Sequence, residues 1–245
     1  MLESRIRRAR WILGCILVPL CLAACGDESG NILETEKKLY SQFDEELIIR
    51  DFFGDRRDGF FLDVGCGPPT VRSTTYYLEK HLGWRGIGVD ALPEYAGPWK
   101  RDRPKSRFFA FLVTDHADTH DPFYRSAIEG LSSTQQDRPF QAPGSDEEVL
   151  LEGSEISLPT ITLNKLLEEA GVEKIDFLSM DIEGSEPPAL AGFDIKRFAP
   201  QLICIEAAPV TQEPIRAYFE ANGYERIERY EAYDAVNWYF TPKQP

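Results

Sequence analysis

Positive charge is scarce in this chain. Against 41 Asp and Glu stand 27 Lys and Arg, a formal net charge of −14. A phosphate backbone is bound by clustered cations, so the balance argues against nucleic acid as a partner. The acidic surplus is read as solubility. Cysteine is also scarce: there are five, and Cys15, Cys21 and Cys25 fall at the very start. Cys66 and Cys204 sit in separate apolar runs, so no disulfide framework is expected, and both are read as small buried hydrophobes. What is present suits a folded globule. The chain is 42% hydrophobic and 12% aromatic over 245 residues, enough for one sizeable core and at most two domains.

The start of the chain is a separate matter. Arg5, Arg7, Arg8 and Arg10 precede an apolar run, Trp11 to Ala24. That run is short of the ~20 residues a comfortable membrane span needs. Basic, apolar and small residues follow in the order of a secretory signal. Leu22-Ala23-Ala24-Cys25 resembles a bacterial lipobox, which implies lipidation of Cys25 and membrane association through the leader alone. The alternatives are an uncleaved anchor, or a true start further downstream that would leave a cytoplasmic product. Residues 1–25 are therefore set apart as a leader, 26–58 as a linker and N-terminal helix, and 59–245 as the main domain.

Periodicity predicts a helix within Glu34–Phe53, from Leu39, Phe43, Leu47 and Ile48. Strands and helices then alternate. Phe60 to Val64 is an apolar run with one acid, as in a buried parallel strand. Ser73 to Leu82 reads as a helix stopped by Gly83. Gly86–Val89 and the aromatic Arg107–Val113 read as strands. Leu163, Leu166, Leu167 and Ala170 mark a helix before Gly171. Ile175–Met180 is a buried strand, and Glu186–Phe193 a short helix whose Pro187 and Pro188 are tolerated only in its first turn. Leu202–Ile205 is a strand, and Ile215, Tyr218 and Phe219 mark a helix. Tyr224–Glu228 and Val236–Phe240 read as a terminal hairpin. This alternation implies an α/β fold, a Rossmann-like doubly wound and mostly parallel sheet closed by a C-terminal antiparallel hairpin. Residues 116–159, rich in Ser, Gln, Pro, Asp and Glu, carry no clear period and are read as a lid or an insertion.

Asp63-Val-Gly65-Cys66-Gly67 directly follows a strand. Glycines there let the backbone approach a ligand, and the next helix offers its N-terminus. Asp90 closes the second strand roughly 20 residues on, where an acid can bond ribose hydroxyls. The dinucleotide fingerprint fails, because Thr70 stands after Pro68 and Pro69 where a third small residue belongs. Asp181-Ile182-Glu183-Gly184 ends one further strand and Glu206 ends another. All these acids should meet at the carboxyl rim of the sheet, where open parallel sheets bind ligands. Glu186 is read instead as favouring the dipole of its own helix.

Three stretches carry a family resemblance: Phe61-Leu-Asp63-Val-Gly65-Cys-Gly67, Gly83-Trp84-Arg85-Gly86-Ile87-Gly88-Val89-Asp90, and Ile175 through Glu186. They resemble the FkbM family of S-adenosylmethionine-dependent methyltransferases over roughly residues 59 to 241, and Asn237-Trp238-Tyr239-Phe240 resembles its last strand. The sequence departs from the family where Pro68 or Pro69 stands in place of the usual Asn, and where Asp90 stands for the commoner Glu. The resemblance implies S-adenosylmethionine as cofactor, bound by Asp63, Gly65, Gly67, Asp90 and Asp115. It implies O-methylation of a hydroxyl on a small molecule or glycan.

A hydroxyl nucleophile must lose its proton, and a carboxylate or His can take it. Asp181 is the first candidate and Glu206 the second, with His116 and His120 behind them. Asp181, Glu183 and Glu206 could alternatively gather a hard cation, although no metal is expected. Ser132, Ser133, Thr134 and Arg138 lie in the insertion, where loops on a rigid sheet carry specificity. The rival reading is a membrane-anchored lipoprotein that keeps the fold and binds without catalysis.

Overall fold

The computed structural model describes residues 32–126, 132–136, 138–141, 148–151 and 153–244. The leader with Cys25, and the side chain of Arg138, lie outside the described residues. Among those described, no helix is long and apolar enough to cross a membrane.

Two helices open the described chain, α1 (Ile32–Thr35) and α2 (Glu45–Phe53). The single helix expected within Glu34–Phe53 is thus broken. The cause is local: Glu46 turns back and its carboxylate accepts the N–H groups of Leu39 and Tyr40, at 3.1 and 3.0 Å. Leu39, counted in the apolar stripe, is 60% exposed.

The main sheet has seven strands. In chain order they are β1 (Phe60–Val64), β2 (Arg85–Asp90) and β3 (Ser106–Ala110), then, beyond five intervening strands outside this sheet, β9 (Phe177–Met180), β10 (Leu202–Glu206), β11 (Tyr224–Arg226) and β12 (Asn237–Pro242). Their spatial order is β11-β12-β10-β9-β1-β2-β3. Neighbours from β3 to β10 are parallel, while β12 runs antiparallel to both β10 and β11. The expected doubly wound sheet with its closing hairpin is what forms.

Side chains alternate across each strand, and both faces are covered. Leu62, Val64, Ile87, Val89, Leu178 and Ile203 enter one core, under α5 (Leu163–Glu169), α6 (Glu186–Ala191), α7 (Ile195–Phe198) and α8 (Gln212–Ala221). Phe61, Phe177, Leu202 and Cys204 enter the other with α2 and α3 (Tyr76–Leu82). Cys66 and Cys204 are free and buried.

Helix α4 (Ala96–Asp102), absent from the sequence reading, lays Trp99 on β2. A Cβ at Gly88 would fall 2.5 Å from Trp99 Cη2, so the ring takes the space a side chain would fill.

The insertion is where structure and expectation differ most. Arg107–Val113 is not one strand. At Phe111 the chain leaves β3 and continues as β4 (Leu112–Val113), which pairs with β8 (Gly153–Ile161). β5 (His120–Ser126) pairs antiparallel with β8 from His120↔Pro159 to Ser126↔Gly153. A second ribbon joins β6 (Arg138–Gln141) to β7 (Glu148–Leu151). β5 pairs with residues 27 to 39 positions away, and most of its side chains are exposed or only half-buried, so no apolar run marks it.

Candidate functional site

One cavity opens at the carboxyl ends of β1, β2 and β9. Gly65, Gly67 and Pro68 form its floor, Leu92, Tyr95, Phe111, Leu112 and Phe123 its apolar wall, and Asp90, Asp181 and Glu183 its carboxylates. Among the described lining residues none is basic.

The floor is built by backbone. Gly65 sits at φ +78° and Gly67 at +51°, a region L side chains rarely adopt. A Cβ at Gly65 would lie 1.8 Å from the Asp181 carbonyl oxygen. The glycine lets the β1 loop touch the β9 loop. Gly65 and Cys66 donate their N–H groups to Val89 O, at 2.9 and 3.2 Å. Gly67 donates to Asp90 Oδ2 at 2.9 Å, and Pro68 and Pro69 have no N–H to give. From 65 to 69 no amide remains for a phosphate. The helix N-terminus expected to face the ligand does not do so: α3 begins only at Tyr76. The intervening segment is held from below. Trp99 Nε1 donates to Gly67 O at 2.8 Å and Arg103 Nη1 to Pro69 O at 3.0 Å.

Each anticipated site residue has a definite place. Asp90 lines the cavity, and its second oxygen accepts Leu92 N–H at 2.8 Å. Burial raises its carboxyl against those two backbone donors. Asp63 does not line the cavity. It falls on the same strand face as Phe61, turned toward α3, where Thr75 Oγ1 donates to it at 2.6 Å and Arg103 lies close. Burial pushes its carboxyl up to about 6, with the Thr75 hydroxyl and the Arg103 charge pulling the other way. Asp181 and Glu183 are in the cavity, in the loop after β9. Glu206 ends β10 outside the lining. Asp115, just after β4, is also outside it, exposed and paired to His116 Nδ1 at 2.7 Å. His116 also contacts Asp121 at 3.0 Å, and these carboxylates raise its pKa. Neither His116 nor His120 lines the cavity.

Among the described residues no group of three or more His, Cys, Asp or Glu is placed to hold a metal ion. The suggested Asp181–Glu183–Glu206 cation set is not assembled, because β10 keeps Glu206 off the lining.

The insertion reaches the site through a short strap. Ser132 lines the cavity. Ser133 Oγ donates to Glu183 O at 3.0 Å, and Thr134 Oγ1 meets Ser185 Oγ at 2.7 Å. Of the four residues anticipated in the insertion, Ser133 and Thr134 thus bind the β9 loop. Glu186 stands in the first turn of α6, where a carboxylate favours the helix dipole. Its Oε1 accepts the N–H groups of Ile182 and Gly184, at 3.0 and 3.3 Å, so it serves the turn before its helix. The apolar wall, Trp99 and Arg103 were not foreseen. The aromatic density of Arg107–Val113 was the available signal for Phe111.

A doubly wound α/β domain with an acidic pocket at the carboxyl rim of its sheet belongs to the class of α/β proteins that bind their ligands at this rim. Within it, residues 58–226 match the model of the methyltransferase FkbM domain, and the chain belongs to that family. No curated protein is a significant match. Among solved structures, a TehB-like S-adenosylmethionine-dependent methyltransferase from Corynebacterium glutamicum is similar at 17% identity and TM-score 0.45, over 87% of this chain and 93% of that one. A Burkholderia thailandensis 1,6-didemethyltoxoflavin-N1-methyltransferase is similar at 16% identity and TM-score 0.36, over 80% and 74%. A Thiobacillus denitrificans methyltransferase in complex with S-adenosylhomocysteine is similar at 11% and 0.40, over 84% and 77%. None is near enough to lend this chain a substrate.

Proposed function

We propose that this chain is an active S-adenosylmethionine-dependent O-methyltransferase acting on a hydroxyl of a small molecule or glycan. The observation that carries the reading is the pairing of a floor without free amides with a lining of carboxylates. A dinucleotide's pyrophosphate would find no donor from 65 to 69. A nucleoside bearing a positive sulfonium and an ammonium group suits Asp90, Asp181 and Glu183, and its flat base suits Leu92, Tyr95 and Phe111. When bound, S-adenosylmethionine supplies a methyl group activated for displacement.

The chain's own residues do the rest. The floor and wall fix the reacting groups, and alignment of this kind lowers barriers by roughly 7–11 kcal/mol in favourable cases. Asp181, in the cavity and exposed to it, accepts the acceptor hydroxyl's proton. Glu206, outside the lining, is the weaker candidate. Transfer of labelled methyl from S-adenosylmethionine across a panel of alcohols, phenols and glycosides tests this. Asp181→Asn should lower kcat by about 100-fold, measured at saturating S-adenosylmethionine so that any loss of cofactor affinity is separated from it. An unchanged kcat would remove Asp181 as the base.

The leader supports a second reading, a membrane-tethered binding protein. Arg5 to Arg10, the apolar run and Leu22-Ala23-Ala24-Cys25 favour it. Metabolic labelling with a fatty acid tests it: label on the wild type and none on Cys25→Ser is expected, and an unlabelled wild type would contradict it.

A further inference from the structure

We propose that Glu186 is a positioning residue of the site, holding the turn 181–185 in the conformation that turns Asp181, Glu183 and Ser185 to the cavity. The inference rests on the cofactor reading above.

The turn is unusual in its backbone. Glu183 has φ +57° and Gly184 φ +91°. A left-handed glutamate is strained and persists only where its surroundings hold it. The amides on either side of it, Ile182 N and Gly184 N, both donate to Glu186 Oε1. One carboxylate oxygen thus closes the turn around the strained residue. Glu186 is wholly buried, and its Oε2 finds no hydrogen-bond partner among the described residues. Burying a carboxyl with one oxygen unsatisfied is costly, which is a poor choice for a purely structural peg. Burial, followed by the nearby Asp181 charge, pushes its carboxyl up to about 7, while backbone N–H groups oppose the shift.

Three other contacts converge on the same turn. The Asp181 carbonyl abuts Gly65, Ser133 binds Glu183 O, and Thr134 meets Ser185. The β1 loop and the strap grip it from outside, and Glu186 grips it from beneath. If the turn relaxed, the carboxylates that line the cavity and the wall against the glycine loop would shift together.

The test titrates S-adenosylhomocysteine into the full chain at pH 6.5, below every variant's melting point. Glu186→Gln keeps an oxygen that accepts the same two amides, so its Kd should stay within threefold of wild type. Glu186→Ala and Glu186→Asp lose that reach and should bind at least tenfold more weakly. Should Glu186→Ala fail to fold, the Asp and Gln variants decide alone. A purely structural role would lower melting temperature in Ala and Asp and leave Kd unmoved, which would overturn the proposal. Equal weakening in Gln and Asp would overturn it too. A wild type that binds no S-adenosylhomocysteine would overturn the cofactor reading itself, a distinct result.

Discussion

Arg103 is fully buried and spreads its guanidinium among Glu79, Ser73, Thr75 and the Pro69 carbonyl. It packs over Trp99 with its carbon 4.3 Å from the ring centroid. Removing one partner of a buried pair leaves a charge uncompensated, which costs about 3–5 kcal/mol. Arg103→Met should therefore lower urea-unfolding stability by that order and loosen the glycine loop, whereas a surface pair such as Arg216–Glu213 should be nearly silent. Gly65→Ala meets a harder limit. Its left-handed φ alone costs about 1–2 kcal/mol, and the Cβ would overlap the Asp181 carbonyl. Cofactor binding should be lost by calorimetry even where circular dichroism shows a folded chain. Both glycines and Asp90 were legible, because a turn with positive φ and an acid at a strand end leave residue types in the sequence. Asp63 was only half legible. Its presence in β1 could be read, but the strand face it takes, and so its separation from the cavity, depends on pleat parity against α3 and Arg103.

At the scale of elements, α2 is seated by acids. Glu45 is buried, accepts Phe43 N–H at 2.6 Å, and lies near Asp234. Burial first, and the Asp234 charge after it, push its carboxyl from 4.5 up to about 7. The folded value lies above the unfolded one. Its stabilising contribution is therefore complete below about pH 4.5 and lost as pH rises through about 7, roughly 3 kcal/mol in all. Asp63 and Glu186, also raised, act in the same direction. Glu45→Gln should flatten the decline of urea-unfolding stability between pH 5 and 8 by about that amount, and an unchanged slope would contradict it. The parallel strands were readable because both faces are buried and the residues run apolar. The broken N-terminal helix was not, because side-chain carboxylates competing for Leu39 and Tyr40 amides leave no period. Nor was the insertion, whose pairing of β5 with β8 is decided by partners some thirty residues away.

At the scale of the molecule, the site lies where the sheet changes direction of growth. From β1 the chain goes first outward to β2 and β3, then returns to add β9 and β10 on the other side. The crevice between the β1 and β9 loops is opened by that reversal, and there Gly65 packs directly against the Asp181 carbonyl, with no room for a Cβ. The charge of the whole chain, −14, and the carboxylates of the cavity both favour a cationic ligand over a phosphorylated one. The most direct measurement is calorimetric titration of the full chain with S-adenosylmethionine and, separately, with NAD. Micromolar binding of S-adenosylmethionine is expected, weakened at least tenfold by Asp90→Ala, with no heat from NAD. Binding of NAD, or absence of heat with S-adenosylmethionine, would contradict it.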